Sequence, residues 1–287
     1  MNRSIVVTTD SSSDLPPEIR EEYGVQFFPL FINLEGKFYH DCVDIFPEQI
    51  YSAYKERGII AKTAAPSIED YKEFFAKFVS QGKTVLHISL THAFSSCNHI
   101  ATLAAAEIKN VHVVDSFNFC TGSGALCVEA AKLCTQDLPI DVIVAQVKDL
   151  RAKVRAYYLP GELTFIKNGG RCSAISAFGA NLLKIRPQVS MDTTTGEVSI
   201  GKKFRGTLAA AQEAFIRSAA EACREKLNPT QVYVMHTPDV PPEQYAALEA
   251  IAREALPEVR RWITGSIGCV IAAHCGPECC GFIALER

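Results

Sequence analysis

Short apolar runs that alternate with helix-like segments constrain the fold of this chain more than any other feature. KTVLHISLT (residues 83–91) and NVHVVDS (110–116) are almost continuously apolar, as strands covered on both faces are. The alanine-rich stretch between them has the composition of a helix. A buried strand, a helix and a second buried strand are typical of a parallel sheet. We therefore predict an N-terminal Rossmann-like α/β domain with a parallel sheet.

Flanking segments extend this pattern. SIVVTTD (residues 4–10) is typical of a first strand, and FPEQIYSAYKERG (46–58) has apolar residues at helical spacing before a terminating glycine. SIEDYKEFFAKFVSQG (67–82) has the same form, with Ser67 placed to cap the helix. The polar run DSSSD (10–14) either caps the next helix or also walls a site; ligand contact by its serines stays open.

The second half of the chain has a different pattern. QVSMDTTTGEVSIGKKFRG (residues 188–206) is typical of a hairpin, because apolar residues alternate on both sides of a Thr-Gly turn. Helix-like and strand-like segments then follow one another to the C-terminus. This mixture predicts a C-terminal α/β two-layer domain with a mostly antiparallel sheet. Breakers at Pro160 and Gly161 favour domains at residues 1–160 and 161–287, with the ligand between them.

Composition excludes several classes of protein. The 287 residues suffice for two domains, and 48% hydrophobic with 21% charged residues is ordinary for a globular protein. A net charge of -3 with scattered Lys and Arg argues against a nucleic-acid partner. We expect no integral membrane segment and no signal peptide, because the apolar stretches are too short. These features predict a cytoplasmic protein.

Cysteine is unusually common, with 11 residues in the chain. An odd number without a secretory signal favours reduced thiols over a disulfide framework. The tail HCGPECC (residues 274–280) contains four residues of metal-ligating type. However, adjacent Cys279 and Cys280 would point to opposite faces if extended, and no second ligand pair is nearby. We therefore expect no metal site.

Five polar segments could form a binding site. They are DSSSD (10–14), KTAAPS (62–67), FSSCNH (94–99), KNGGRCS (167–173) and AHCGP (273–277). Each alone can be explained by helix capping or a turn. Because the carboxyl ends of parallel strands lie at one sheet edge, Thr63, Ser95 and Ser96 can converge as neutral donors beside helix N-termini. This arrangement predicts an anionic ligand group, a carboxylate or a phosphate.

Catalytic alternatives have weaker support in the sequence. The GxGxxG, GxxxxGK[ST] and GxSxG patterns of nucleotide-binding proteins and α/β-hydrolases do not occur in the chain. A small-molecule kinase or an acyl hydrolase that uses Ser95 or Ser96 with His274 as base is the alternative. A ligand-responsive regulator also stays open.

Six segments in order carry a resemblance to a known family. They are DSSSDL (10–15), TAAPS (63–67), FSSCNHIA (94–101), VVDS (113–116), IKNGGRCS (166–173) and HCGPECCGF (274–282). Together they resemble the DegV family of bacterial fatty-acid-binding proteins over essentially the whole chain. The resemblance implies a carrier of one long-chain fatty acid of the palmitate, stearate or oleate class, without any other cofactor. It also implies a partner, a separate ATP-dependent fatty acid kinase that makes an acyl phosphate for phospholipid metabolism.

The resemblance also implies which residues bind. The residues that it places at or beside the fatty-acid carboxylate are Thr63, Ser95, His274, Ser96, Gly169, Gly170 and Arg171. Arg205 is implied as a contact for the kinase. Ser96 and Cys97 stand where the family usually has Gly and Thr, which leaves open the hydroxyl that touches the head group. The family acts as a carrier with no catalytic residue of its own.

Overall fold

The N-terminal half combines a parallel sheet with a smaller antiparallel one. The computed structural model describes residues 4–170 and 185–287. The strands are β1 (Ile5–Asp10), β2 (Gln26–Phe28), β3 (Phe31–Leu34), β4 (Lys37–His40), β5 (Lys62–Ala64), β6 (Thr84–Ser89) and β7 (Val111–Asp115). One sheet has the order β2-β1-β6-β7 with every neighbouring pair parallel, and the other has the antiparallel order β4-β3-β5. The predicted Rossmann-like parallel sheet is confirmed.

Helices connect these strands. They are α1 (Pro17–Tyr23), α2 (Pro47–Arg57), α3 (Ile68–Val79), α4 (Cys97–Ala106), α5 (Cys120–Leu133) and α6 (Ile140–Arg151). Ser67 caps α3 as predicted: its hydroxyl accepts the N–H of Asp70 at 3.1 Å, and the Asp70 carboxylate accepts the Ser67 N–H at 2.7 Å. Gly58 ends α2 in the left-handed conformation, with φ of 70°.

A six-stranded sheet organises the second half. Its strands are β8 (Val154–Leu159), β9 (Ile185–Met191), β10 (Val198–Arg205), β11 (Leu227–His236), β12 (Trp262–Ser266) and β13 (Cys280–Glu286). In the order β10-β9-β8-β13-β11-β12, only the pair β11 and β12 is parallel. The helices of this half are α7 (Leu163–Gly169), α8 (Leu208–Cys223), α9 (Pro242–Ala255) and α10 (Cys269–Cys275). The mostly antiparallel sheet is as predicted.

One strand lies on the unexpected side of the predicted boundary at residue 160. β8 belongs by sequence to the proposed segment 1–160, yet it pairs with β13 and β9 in the six-stranded sheet. Alternate residues of β8 enter two different cores, since Tyr158 packs toward the parallel sheet and Leu159 toward α8 and α9. By sheet membership the change of domain therefore precedes Val154; the division itself stays a prediction.

The DSSSD segment does not cap a helix, so that expectation was wrong. Ser11–Ser13 form a short 3-10 turn and are buried. The N-cap of α1 is Pro16, which has no side-chain donor or acceptor, and the first helical residue is Pro17, which has no N–H to satisfy. Ser11 instead donates to Asp41 at 2.7 Å and accepts the N–H of Leu30 at 3.1 Å. The turn thus ties β1 to two distant segments.

One apolar core is shared by the four-stranded parallel sheet and the six-stranded sheet. Residues of the parallel sheet, such as Val85 and Ile88, belong to the same cluster as Met235 and Ile283 of the six-stranded sheet. A second core lies between the other face of the six-stranded sheet and helices α8 and α9. Within residues 4–170 and 185–287, none of the helices is both long and apolar enough to cross a membrane.

Candidate functional site

A cavity of about 520 Å³ lies where the two sheets meet. Its walls come from both halves of the chain and are largely apolar; they include Leu30, Leu90, Phe119, Val189, Met235 and Ile271. Protein pockets for small ligands have volumes of about 300–1,000 Å³ and are lined in the same way. The cavity is therefore large enough for an elongated apolar ligand.

Exposure changes from one end of the cavity to the other. The exposed lining residues are Ala65, His92, Ala93 and Ser96, which mark the mouth. The His92 side chain is 52% exposed, whereas Met235 is 1% exposed. The mouth carries hydroxyl and imidazole groups, and the interior carries aliphatic, aromatic and thiol groups. A ligand that matches this gradient has a polar head and an apolar tail.

Thr63 and His274 form the central polar pair of the mouth. Thr63 lies on β5 and His274 in the last turn of α10, and the Thr63 Oγ1 to His274 Nε2 distance is 2.9 Å. Both residues are half-buried and line the cavity. When the imidazole carries its proton on Nε2 it donates to Thr63, so the threonine proton is available to an acceptor. The pair can then donate to a carboxylate without a formal positive charge.

Helix α7 brings Gly169 against the His274 ring. A Cβ atom at position 169 would lie 2.4 Å from His274 Nδ1, closer than real Cβ contacts come. The absence of a side chain at this position therefore makes room for the imidazole. Gly170 follows with φ of 66° as the C-cap of α7, and it does not line the cavity. Arg171, also predicted beside the carboxylate, lies outside the described residues.

Ser95 and Ser96 lie at the mouth, where α4 begins. The Ser95 hydroxyl accepts the Cys97 N–H at 3.2 Å and donates to the Cys97 thiol at 3.0 Å. Ser96 is the N-cap residue of α4 and is exposed, without a side-chain capping bond. The two hydroxyls and the start of a helix favour a nearby anion.

The hydrolase alternative gains no support from these bonds. His274 Nε2 is bonded to Thr63, and the Ser95 hydroxyl is bonded to Cys97. Nucleophilic catalysis by serine needs the hydroxyl within hydrogen-bond reach of the base. Neither bond connects a serine to His274 Nε2.

Other predicted residues lie away from the cavity. Arg205 is exposed at the end of β10, and it does not line the cavity. The three serines of the DSSSD turn are buried and do not line it either. Their part is structural: Ser11 fixes Asp41.

Sequence reasoning missed a second histidine at the mouth. His92 Nδ1 lies 2.7 Å from Asp115 Oδ2, and the same oxygen accepts the His92 N–H at 3.1 Å. Asp115 ends β7, and polar residues gather at the carboxyl ends of parallel strands. This rule could have identified Asp115 and, through it, His92. The neighbouring Thr91 hydroxyl donates to the Gly196 carbonyl at 2.9 Å and thereby fixes the mouth loop to the β9–β10 turn.

The lining groups of the cavity are largely neutral at pH 7. Burial raises the pKa of the Cys97 thiol to about 12, and burial lowers the pKa of His236. Among the described residues that line the cavity there is no Lys or Arg. Residues 4–170 and 185–287 contain no cluster of three or more His, Cys, Asp or Glu residues that could hold a metal ion. The interior thus suits an uncharged chain.

Comparison with known proteins identifies the family. The model of the DegV family, described as uncharacterised proteins, matches residues 4–287. The chain belongs to the DegV family. A DegV domain-containing protein of Caldanaerobacter subterraneus subsp. tengcongensis is 30% identical over 99% of both chains. The resemblance inferred from the six segments is confirmed.

Solved structures of this family share the fold. A fatty-acid-binding DegV family protein from Thermus thermophilus is 29% identical, with a TM-score of 0.85 over 99% of each chain. A DegV lipid-binding protein from Thermotoga maritima is 26% identical, with a TM-score of 0.82 over the same shares. These two structures confirm the predicted fold class.

The close approach of Gly169 to His274 generates a prediction. Gly169→Ala is expected to displace the His274 ring, because the added methyl group occupies the position next to Nδ1. The imidazole signals of His274, assigned by their loss in His274→Gln, should shift in a two-dimensional NMR spectrum of the folded protein.

Gly170→Ala is the matched control for this prediction. It strains a left-handed position at the adjacent residue, but its Cβ would have no heavy atom within 4 Å. We expect the His274 signals to stay in place in that variant. Equal shifts in both variants, or none in Gly169→Ala, would contradict the contact.

Proposed function

We propose that the protein is a carrier for one long-chain fatty acid of the palmitate, stearate or oleate class, and that it has no turnover alone. The observation that carries this proposal is the polarity gradient of the cavity, with neutral donors at the mouth and an interior without Lys or Arg among its described lining residues. The Thermus thermophilus relative is itself a fatty-acid-binding protein. Both facts favour the carrier over an enzyme that acts alone.

Burial of the acyl tail supplies the binding energy. Removal of a methylene group from water contributes about 0.8 kcal/mol, so a tail of ~15 methylenes contributes roughly 12 kcal/mol before the costs of association. The buried part of the wall, which includes Leu30 and Met235, provides the apolar surface. The head group is therefore free to serve orientation rather than affinity.

The carboxylate is assigned to Thr63, Ser95 and His274, with Ser96 beside them. Thr63 and His274 are already paired at 2.9 Å, and Ser95 lies at the mouth of the same cavity. Neutral donors orient a carboxylate and leave an oxygen with lone pairs that can attack phosphorus. A buried lysine would hold that oxygen in an ion pair. Gly169 makes room for the histidine; Gly170 and Arg171 follow it in the chain.

A partner kinase would complete the reaction. A carboxylate oxygen attacks the γ-phosphorus of ATP, the bond to the ADP oxygen breaks, and the product is an acyl phosphate. We assign Arg205 to the contact with this kinase on the family resemblance; the residue is exposed and does not line the cavity, so it is accessible to a partner. We place this activity in the bacterial cytoplasm, where an acyl phosphate can supply phospholipid synthesis.

Ligand extraction tests the carrier directly. Protein purified without detergent is expected to release a near-equimolar long-chain fatty acid into organic solvent, because burial of the tail makes dissociation slow. Mass spectrometry of the extract identifies the acyl chain. A clean extract from folded protein that also takes up neither palmitate nor oleate would overturn the proposal.

Removal of one hydroxyl tests the carboxylate site. Thr63→Val keeps the shape of the side chain but removes the donor, so the affinity for oleate is expected to fall about fivefold to tenfold, as for a lost hydrogen bond. Isothermal titration of delipidated protein measures the loss. Thr63→Ser retains the hydroxyl and should bind within about twofold of the original protein. Equal binding by all three proteins would place the carboxylate elsewhere.

A separate experiment tests whether Arg205 contacts the kinase. Arg205→Ala is expected to leave oleate affinity unchanged, because the residue does not line the cavity, and to slow acyl-phosphate formation with the kinase. Lys109→Ala removes an exposed cation after α4 and is the control. A loss of the same size in both variants would contradict a specific kinase contact.

A further inference from the structure

Two buried carboxyl groups hold the start of α10, the helix that carries His274. Asp14 Oδ1 accepts the N–H of Gly268 at 2.8 Å, and Asp41 Oδ1 accepts the N–H of Cys269 at 2.7 Å. Asp14 is 7% exposed and Asp41 is fully buried. They come from separate segments, the DSSSD turn and the residues after β4. Three parts of the chain therefore meet at this helix end.

The two carboxyl groups are not equally satisfied. Asp41 Oδ2 accepts the hydroxyl of Ser11 at 2.7 Å, so both of its oxygens have a donor. Asp14 Oδ2 is buried and accepts no N–H or O–H among residues 4–170 and 185–287; besides Gly268, the carboxyl group has the thiol of Cys120, a weak donor. An ionised oxygen in that position is costly, whereas a protonated one is tolerated. Asp14 is thus the group whose charge state matters.

The packing around the pair is tight. A Cβ atom at Gly268 would lie 2.8 Å from Cys42 Sγ and 3.1 Å from Oδ1 of both aspartates. Asp14, Cys42 and Cys120 each have a left-handed φ, of 47°, 57° and 49°. Residues other than glycine keep this conformation only where their surroundings enforce it. A shift of either carboxyl group must therefore move the helix start.

Helix α10 transmits such a shift to the cavity. Val270, Ile271, His274 and Cys275 of this helix all line it. From Gly268 to His274 the rise along the helix is only about 9 Å. The bond of His274 to Thr63 joins this helix to β5. The position of the imidazole therefore depends on how the N–H groups of Gly268, the N-cap, and Cys269, the first residue of α10, are held.

We propose that Asp14 and Asp41 are positioning residues for the carboxylate site, and that Asp14 must be protonated for α10 to hold His274 against Thr63. This inference rests on the proposed function, because it takes the ligand carboxylate to lie at those two residues. It gives the DSSSD segment a part in binding without contact to the ligand.

Several titratable groups pack against Asp14 and set its charge state. Burial raises its pKa from 3.8 to about 7, the charge of Asp41 adds to this, and hydrogen bonds from the Gly268 N–H and the Cys120 thiol offset it in part. Burial also raises the pKa of Asp41, and hydrogen bonds from Ser11, Cys42 and Cys269 offset that shift in part. The other titratable groups that face Asp14 are the thiols of Cys42, Cys120, Cys269 and Cys275 and the phenol of Tyr158. Burial raises the pKa of each of them, so they stay neutral at pH 7.

The sign of the pH effect follows. Because the pKa of Asp14 is higher in the folded than in the unfolded chain, its contribution to stability is complete below about pH 4 and is lost as the pH rises through about 7. Above that pH Asp14 adds a negative charge beside the Asp41 carboxyl group at the start of α10. We expect the bond between His274 and Thr63 to weaken over the same pH interval, and the affinity for the ligand carboxylate to fall with it.

Oleate binding tests the proposal. The affinity of the wild-type protein is expected to fall about threefold to tenfold between pH 6 and pH 8.5, and Asp14→Asn should show a flatter profile over this range. The amide has the size of the acid and no charge. Titration of oleate and of the histidines is common to both proteins, so the difference between their profiles reports Asp14. Coinciding profiles would overturn the inference.

A ligand-free measurement separates this inference from the proposed function. In delipidated protein the pH profile of the His274 ring signals should differ near pH 7 between the wild-type protein and Asp14→Asn, because the titration of the ring itself is common to both. Ser13→Ala, which alters the same turn but neither carboxyl group, should follow the wild-type profile. Identical titration curves in all three proteins would contradict the positioning role. Failure of the wild-type protein to bind oleate at any pH, with the NMR difference intact, would contradict only the assigned ligand.

Discussion

A carboxylate removed from water must find donors within the protein, and Asp10 at the end of β1 meets this demand with groups from two other segments. Its Oδ1 accepts the hydroxyl of Tyr71 on α3 at 2.5 Å, and its Oδ2 accepts the N–H of Leu90 at 2.9 Å. Leu90 opens the loop that forms the mouth of the cavity. Four residues later Asp14 holds α10. One tight turn therefore sets the distance between two walls of the site.

Local pattern predicted those parts of the fold that depend on local contacts. The capping box of α3 lies within four residues, and β6 and β7 are recognised by their runs of Val, Leu and Ile. β6 is buried as such a run predicts, whereas β7 is only half-buried because it is the edge strand of the sheet. The position of β8 was not predictable in this way, because its partner β13 lies more than 120 residues further along the chain. The DSSSD turn was assigned wrongly because a serine hydroxyl can bond equally well to the local N–H groups of a helix start and to partners far away in the chain. Ser11 is bonded to Asp41, 30 residues away.

In the candidate site, too, some features followed from the local sequence and others depended on contacts between distant residues. Thr63, Ser95 and Ser96 all line the mouth. The rule for parallel strands accounts for Ser95 and Ser96, which follow β6, but the argument was wrong for Thr63, because β5 belongs to the antiparallel sheet. His274 is 211 residues from its partner Thr63, and only the family resemblance connected them. The pair of Asp14 and Asp41 was missed because a buried acid that holds a helix end has no signature in sequence. Asp14 stands in the polar run DSSSD and Asp41 follows His40, so neither residue differs in the sequence from an exposed aspartate.

The location of the cavity explains how a ligand can matter to the whole fold. The parallel sheet and the six-stranded sheet share one apolar core, and Leu30, Met235 and Ile271 belong to this core and also line the cavity. Walls of an unfilled apolar space lose contacts that close packing would provide. An acyl chain bound as proposed would add contacts to both sheets at once, so binding and the cohesion of the two sheets would be linked. In that case Asp14, Asp41 and Thr63 would position the polar mouth, and the ligand would complete the packing of the interior.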